Sequence, residues 1–462
     1  MINKENIKVL KFGGDCLKDS VHILKVVNII LSQKSFPIVV VSAIYGITDL
    51  LIDGIKHSKE KEVNVSSTIS ILTEKHYAIA QDSIVNDSVL QTTIQNIVLL
   101  VKKVERLLYG VSYTEEDTGA IRAHITSFGE RLAAVILAGV LEDKGVKSNI
   151  IETDKIGLVT DEQYENATVD LKEFKVNFKP VAANILNDEA IPILTGFFGN
   201  APGGKITTFG RNGSDYTAAV MAYGFDAPLL EIWKDIDGFM DADPAITPDA
   251  EIIDHLSYFE VAELCYFGDR ILHPLTIEPI AGLGIPIHIK NIFNPDAKGT
   301  VISPDAFVDE FIIKSVAYNP NIAMIRLHGS GIGYKAGIIT TVANALSANN
   351  INIFAIVSSQ TCINLLIEMK DADDSYDILK ELKGNIIERI DFQKDIALIA
   401  VVGEGVLKRK GIFARVLGAV SDIRINIEMA SAGASEVAIY LIIASDDVKD
   451  AVNAIHKEFF KK

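Results

Sequence analysis

Ile-Lys-Val-Leu-Lys-Phe-Gly-Gly, residues 7–14, and Pro-Ile-Val-Val-Val-Ser, residues 37–42, together decide the fold. The first run is a short apolar strand, Ile7–Phe12, ending in two glycines. Apolar residues at helical spacing follow over about 19–33. The second run is continuous and β-branched, the pattern of a strand buried on both faces of a parallel sheet. Strand, helix and buried strand in that order predict an α/β sheet. Ligands of such sheets bind beyond the carboxyl ends of the strands, where this chain places two loops, 13–16 and 42–48. Lys11 stands at the first strand end beside Gly13 and Gly14. An ammonium and free N–H groups at that point suit phosphate oxygens. A solvated strand terminus accounts for Lys11 equally well, and the spacing is not that of a P-loop.

A second glycine loop enters a helix at Thr-Thr-Phe-Gly-Arg-Asn-Gly-Ser-Asp-Tyr-Thr-Ala-Ala-Val, residues 207–220. Gly210 and Gly213 permit a turn and close backbone approach. Ser214 and Asp215 are expected at the N-cap and Gly224 at the C-cap. The helix start offers N–H groups and a positive dipole end to an anion, and Arg211 offers a planar fork to a carboxylate or phosphate. Asp215 adds the opposite sign, so the set suits a substrate carrying both charges. An ordinary capped turn with a solvated Arg211 fits the stretch alone as well.

The chain has 462 residues, 48% of them hydrophobic, enough for two or three domains with ample core. Its formal net charge is −17, which argues against nucleic acid or an anionic membrane as partner. Cys16, Cys265 and Cys362 are widely spaced and odd in number, as in a reduced cytoplasmic protein. No signal-peptide pattern and no apolar run of bilayer length is expected.

Residues 60–140 lack strand signals, and helical spacing at 69–81 and 89–108 predicts a helical insertion over about 60–125. A further helix is expected over 127–139, strands at 148–152, 191–197 and 229–233, and a hairpin over 199–208. Trp233–Pro244 is a polar loop after a buried strand. A helix at 257–266 and a strand at 285–290 follow, and 294–309 is predicted to be a linker. Beyond it the chain repeats itself at an offset of 74: Ile322-Ala323 matches Ile396-Ala397, Gly329 and Gly331 match Gly403 and Gly405, Gly337-Ile338 matches Gly411-Ile412, and Ile351-Asn352-Ile353 matches Ile425-Asn426-Ile427. One ungapped offset predicts a duplicated βαββαβ unit. Gly337 and Gly411 sit where each loop enters a helix, a place for a small charged effector or simply a turn.

These stretches, in order, resemble the aspartate kinases of the amino acid kinase family. The carriers are Lys-Phe-Gly-Gly at 11–14, the Ser-Ala…Gly…Thr-Asp-Leu-Leu run at 42–51, Ser-Phe-Gly-Glu-Arg-Leu at 127–132, Gly-Phe-Phe-Gly at 196–199, 210–218, Trp-Lys-Asp…Asp-Gly at 233–238, Asp243-Pro244 and Leu-His-Pro at 272–274. The resemblance covers the whole chain. It implies a kinase-type α/β sandwich over 1–300, a linker and first ferredoxin-like ACT domain over 301–393, and a second ACT domain over 394–462. It implies MgATP-dependent phosphorylation of the β-carboxylate of L-aspartate, the first step toward lysine, threonine and methionine, in a cytoplasmic homodimer or homotetramer under lysine or threonine control. No protein-bound metal is implied. Lys11 and Asp215 would be catalytic. Ser42, Thr48, Glu130, Arg211, Gly213 and Ser214 would meet aspartate, Glu130 its amino group and Arg211 its α-carboxylate. Lys11, Phe12, Gly13, Gly14, Lys234, Asp235, Met240, Asp243 and Arg270 would meet ATP. Other readings are a kinase of another amino-acid carboxylate, or an effector-binding protein with a weakened kinase site. The chain departs from the family at Asp15-Cys16, usually Thr-Ser, and at Phe354, where lysine-inhibited members carry Asp. Asp15 would repel the triphosphate, bind Mg²⁺ or cap the next helix.

Overall fold

The computed structural model describes residues 6–267, 271–305, 312–384 and 387–460. The chain forms two compact units. The first holds residues 1–239, 252–258 and 271–306; the second holds 240–251, 259–270 and 307–462.

The first unit is built on an eight-stranded sheet. Its order is Ser148–Ile151, Ile191–Thr195, Phe36–Val41, Ile7–Phe12, Leu230–Lys234, Ile287–Asn291, Thr300–Ser303 and His255–Ser257. The first six strands run parallel, and Thr300–Ser303 turns back antiparallel to Ile287–Asn291. That last strand lies inside the stretch expected to be a linker. Four residues between a glycine and a proline give too short a pattern to distinguish strand from loop. Residues 7–12 and 36–41 pair in register from Ile7↔Phe36 to Phe12↔Val41, and the continuous apolar run at 38–41 is buried on both faces as its composition requires. The insertion is helical: Val63–Ser83 and Asp87–Thr114 pack Val65, Leu72, Ile97, Val104 and Leu108 into the main core. The stretch Gly119–Asp143 is long and apolar enough to cross a membrane, but 89% of its apolar window is buried inside the unit, where it covers the sheet.

The helix that follows the second glycine loop, Gly213–Phe225, differs from expectation at both ends. Its N-cap is Asn212 at φ +57°, so Ser214 and Asp215 lie in the first turn. Its C-cap is Asp226, at φ +53°. Gly224 serves packing instead: a Cβ there would come within 2.7 Å of the Phe178 ring, which stacks on Phe174 and meets Phe225 edge-on.

The second unit contains two four-stranded sheets. One has the order Ile353–Ser358, Cys362–Glu368, Ile322–His328, Arg389–Gln393, a complete βαββαβ repeat with helices Ile338–Ser347 and Ala372–Lys380. The other repeat supplies three strands, Ile396–Val402, Met429–Ala432 and Ala438–Ala444, and helices Ile412–Asp422 and Val448–Phe460. Its fourth strand is Ser315–Asn319, paired antiparallel from Ser315↔Val402 to Asn319↔Leu398. That strand falls in the span assigned to the linker and first repeat. The second repeat is thus βαββα in sequence and is completed by a strand from before the first. Segment 240–251 belongs to this unit as well: Ala242 is in its core, with Ile246 and Ala250 against it.

Candidate active site

Four parallel strands end side by side in the first unit. The register aligns Phe12 with Val41 and with Trp233, and Val41 with Thr195. The residues just beyond are Gly13, Ser42, Lys234 and Gly196. The chain order reverses between strands 7–12 and 230–234, a switch point that opens a crevice in α/β sheets.

Lys11 and Asp215 meet there. Lys11 Nζ lies 2.5 Å from Asp215 Oδ1, and Lys234 Nζ lies 3.3 Å from Oδ2. Lys11 is 2% and Asp215 0% exposed. Burial pushes the Asp215 carboxyl up, but Lys11 and Lys234 more than offset this and hold it below its ordinary value. Burial pulls the Lys11 ammonium below its ordinary value, with Asp215 opposing and Lys234 assisting. The first turn of helix Gly213–Phe225 places Asp215 at the positive end of a helix dipole, which favours its ionised form. Asp215 thus fixes two cations at the strand ends, leaving one net positive charge among the three groups.

The loop before this helix is held from several sides. His273 Nε2 lies 3.0 Å from the Phe209 carbonyl, while its Nδ1 accepts from the Leu275 N–H, so Nε2 carries the proton. Thr217 Oγ1 accepts the Phe197 N–H at 2.9 Å and donates to the Gly213 carbonyl. A Cβ on Gly196 would stand 2.6 Å from Ser214 Cβ and 2.9 Å from the Val41 carbonyl, so only glycine lets strand end and helix start approach. Thr217 and Gly196 were inside recognisable motifs, but nothing local in the sequence shows their partners. Arg211 is exposed in the turn, and Gly213 and Ser214 are buried.

Glu130 comes from the first turn of helix Phe128–Asp143. Gly129 lets that turn close on loop 42–46, since a Cβ there would lie 2.6 Å from Ala43 Cβ. Glu130 Oε1 accepts the Ala43 N–H at 2.9 Å, while Oε2 is buried without a partner. Burial raises the Glu130 pKa to about 8. A buried carboxyl with one open oxygen suits an incoming ammonium. Arg131 beside it stacks on Phe128 and Phe198 and pairs with Asp154 at 3.1 Å. Ser42 is half-buried, its N–H on the Phe12 carbonyl. Thr48 is half-buried in the first turn of helix Ile47–Ser58, which Gly46 opens at φ +75°.

Beyond strand Ile7–Phe12, Gly13 and Gly14 lead into a 3₁₀ turn, Gly14–Leu17. A Cβ on Gly14 would reach 3.0 Å from the Ala43 carbonyl. Asp15 is exposed in that turn. It does not cap the following helix: Asp19 does, accepting the His22 N–H at 3.0 Å. Cys16 is buried, its thiol donating to the Trp233 carbonyl at 3.2 Å, and burial pushes its pKa up to about 12. It is a packed residue. Asp235 is exposed. Met240 and Asp243 belong to the second unit, where the Met240 carbonyl accepts from Ser315 Oγ at 3.0 Å and Asp243 Oδ2 accepts from Tyr318 at 3.1 Å. Arg270 lies outside the described residues.

A parallel sheet with cations and glycine turns at its switch point defines a phosphate-handling α/β protein. Comparison with known families makes this specific: residues 6–291 match the amino acid kinase family, and residues 317–381 and 399–459 each match an ACT domain. The chain belongs to the amino acid kinase family, and its relatives there are aspartokinases. It is 32% identical to a bifunctional aspartokinase/homoserine dehydrogenase of Buchnera aphidicola over 98% of this chain and 56% of that protein. It is 28% identical to the chloroplastic aspartokinase 1 of Arabidopsis thaliana over 98% of this chain and 80% of that protein. Among solved structures it resembles E. coli aspartokinase III in complex with aspartate and ADP, with TM-score 0.85 and 25% identity, covering 98% of this chain and all of that one. It also resembles the Clostridium acetobutylicum aspartate kinase, with TM-score 0.78 and 28% identity over 98% of this chain and all of that one.

Proposed function

We propose that this chain is an aspartate kinase that transfers the γ-phosphoryl group of MgATP to the β-carboxylate of L-aspartate. The observation that carries the reading is the buried Lys11–Asp215 pair joined by Lys234, with a second buried carboxyl, Glu130, that feels the Lys11 charge and keeps one oxygen open. The aspartate β-carboxylate oxygen attacks the γ-phosphorus, and the bond from that phosphorus to the β–γ bridging oxygen breaks. ADP leaves and 4-phospho-L-aspartate remains. The nucleophile is already an anion, so no general base is needed. Catalysis then consists of aligning two anions and neutralising them. Lys11 takes charge on the transferring phosphoryl, and Asp215 orients Lys11 and Lys234. The N–H groups at Gly13 and Gly14 serve the phosphates, and Phe12, paired in the sheet, carries these two glycines to the strand end. Glu130 holds the substrate ammonium and Arg211 the α-carboxylate, with Ser42, Thr48, Gly213 and Ser214 lining the pocket. Lys234 and Asp235 serve the nucleotide, and Mg²⁺ arrives with ATP.

The paired ACT domains make the enzyme a regulated one, with an amino-acid effector, lysine or threonine, at the loops before Gly337 and Gly411. The product feeds lysine, threonine and methionine synthesis in the cytoplasm, a setting that suits the odd, widely spaced set of three cysteines. The edge strand Ile353–Ser358, with Ile356 and Val357 each 39% exposed, supports a homodimer or homotetramer formed through the regulatory sheets. A hydroxamate assay tests the activity: acyl phosphate should form with aspartate and MgATP. Formation with glutamate but not aspartate would overturn the substrate.

A further inference from the structure

A second charged cavity lies in the kinase unit, on the other face of its sheet. Side chains alternate along a strand, and the register pairs Leu10 with Glu231, Phe12 with Trp233 and Trp233 with Lys290. Lys8, Glu231, Trp233 and Lys290 therefore share one face, while Lys11 and Lys234 share the opposite one. A parallel sheet packed under a helix ordinarily presents apolar side chains. Here the sheet presents two lysines and a glutamate, and helix Ser20–Ser32 answers with Lys25, Asn28 and Ser32 at helical spacing. Between them is a cavity of about 500 Å³.

Its charges do not cancel. Glu231 is fully engaged: Oε1 accepts from Lys8 at 2.8 Å and Oε2 from the Trp233 ring N–H at 3.1 Å. Lys8 is further held by Gln33 Oε1 at 3.1 Å. Lys25 and Lys290 have no carboxylate partner among the described residues. Their ammonium groups lie over aromatic rings, Lys25 5.2 Å from the Phe293 centroid and Lys290 5.6 Å from that of Trp233. Asp296 stands exposed at the rim. Three lysines therefore line the cavity against one spent carboxylate and one at its edge, in a chain of net charge −17. Leaving cations uncompensated in a cleft of an acidic protein focuses a positive potential there.

The geometry points to a binding site for a small phosphate-type polyanion in this cavity, separate from the catalytic crevice, with Lys25 and Lys290 as its principal ligands and Lys8 as support. The site goes beyond the kinase reading and does not depend on it.

The protein carries its own reporter, because Trp233 is the only tryptophan and lines the cavity. Inorganic pyrophosphate titrated into the full chain should change the tryptophan emission saturably, and Lys11→Ala, which removes the crevice ammonium on the opposite face, should leave this response intact. Sodium chloride at matched ionic strength should not. Lys25→Gln with Lys290→Gln should weaken the apparent affinity at least tenfold. Lys25→Gln alone, on the outer part of a helix, should weaken it severalfold, and far-UV circular dichroism checks both folds. Inorganic phosphate in a second titration should bind more weakly than pyrophosphate if the separated lysines are bridged. The proposal fails if the emission change is not saturable, if the double variant titrates like the wild type, or if Lys11→Ala abolishes the response.

Discussion

Lys11 and Asp215 form a 2.5 Å ion pair with neither side chain more than 3% exposed. An ion pair so buried is poor value as a stabiliser, because desolvation costs about as much as the attraction returns. Its place at the strand ends gives it a better use, as a charge array assembled before any phosphate arrives. Lys11→Ala and Asp215→Ala are each expected to lower kcat by a factor corresponding to about 2.7–4 kcal/mol, the usual loss for one preorganised contact to transition-state charge. The check is kcat by coupled ADP release, beside circular dichroism. Turnover near wild type in either variant would remove the assignment.

Glu130 gives a pH signature. Its pKa near 8 means that the free site is largely protonated at neutral pH, so an ammonium must displace a proton to bind. The KM for aspartate is expected to fall about tenfold per unit as pH rises toward 8 and then to level off. Glu130→Gln should raise this KM and flatten the slope. A wild-type KM independent of pH between 6 and 8 would contradict the role.

The same carboxyl affects stability with a definite sign. Its folded value is raised, so between the ordinary carboxylate range and about 8 the folded state holds a proton that the unfolded chain has released. Stability therefore declines as pH climbs through that window. Glu130→Gln lacks the titrating group, so its Tm should fall less than that of the wild type between pH 6 and pH 9. Equal losses in the two proteins would refute the burial effect.

Cys16 should be inert. Its thiol is buried, donates to the Trp233 carbonyl and has its pKa pushed up to about 12, so the thiolate is scarce at neutral pH. Alkylation followed by mass spectrometry should label half-buried Cys362 well before Cys16. Faster labelling of Cys16 would indicate a reactive site that the structure does not show.

Association is expected to run through the exposed edge strand Ile353–Ser358. Val357→Lys, on its 39% exposed position, should shift the mass in light scattering toward the monomer. Cutting the chain near residue 308 is a poorer test. Segment 240–251 would lose the core that receives Ala242, Ile246 and Ala250, and such a fragment should unfold or aggregate. An unchanged mass for Val357→Lys would place the contact elsewhere.

The features legible in sequence are those whose causes are local. The strand Ile7–Phe12 matches its expected bounds, because β-branched and apolar composition is read within a few residues. The offset of 74 predicted two related repeats, and two related sheets are present. Lys11 and Asp215 each stand out in sequence, but their contact spans 204 positions and no local pattern predicts it. The same limit hid the completion of the second sheet by Ser315–Asn319. Ser-Val-Ala-Tyr-Asn favours a strand without naming an edge, and the register Ser315↔Val402 is decided by packing at long range. Gly224 reads as a C-cap in sequence because a glycine near a helix end serves equally as a cap or as space for a ring, and only Phe178 decides.

The strand Ser315–Asn319 also makes the second regulatory domain discontinuous. The chain leaves that sheet after Asn319 and re-enters it at Ile396, on the neighbouring antiparallel strand. The repeat between them is a cassette with its own four-stranded sheet, spliced in where a hairpin turn would otherwise stand and tied to its host where Arg326 and Gln393 reach Glu428. A short turn joining Asn319 to Ile396 would leave the host sheet with all four strands. During synthesis the opposite order applies: the cassette emerges whole while the first strand of its host waits, unpaired, for partners still to be translated.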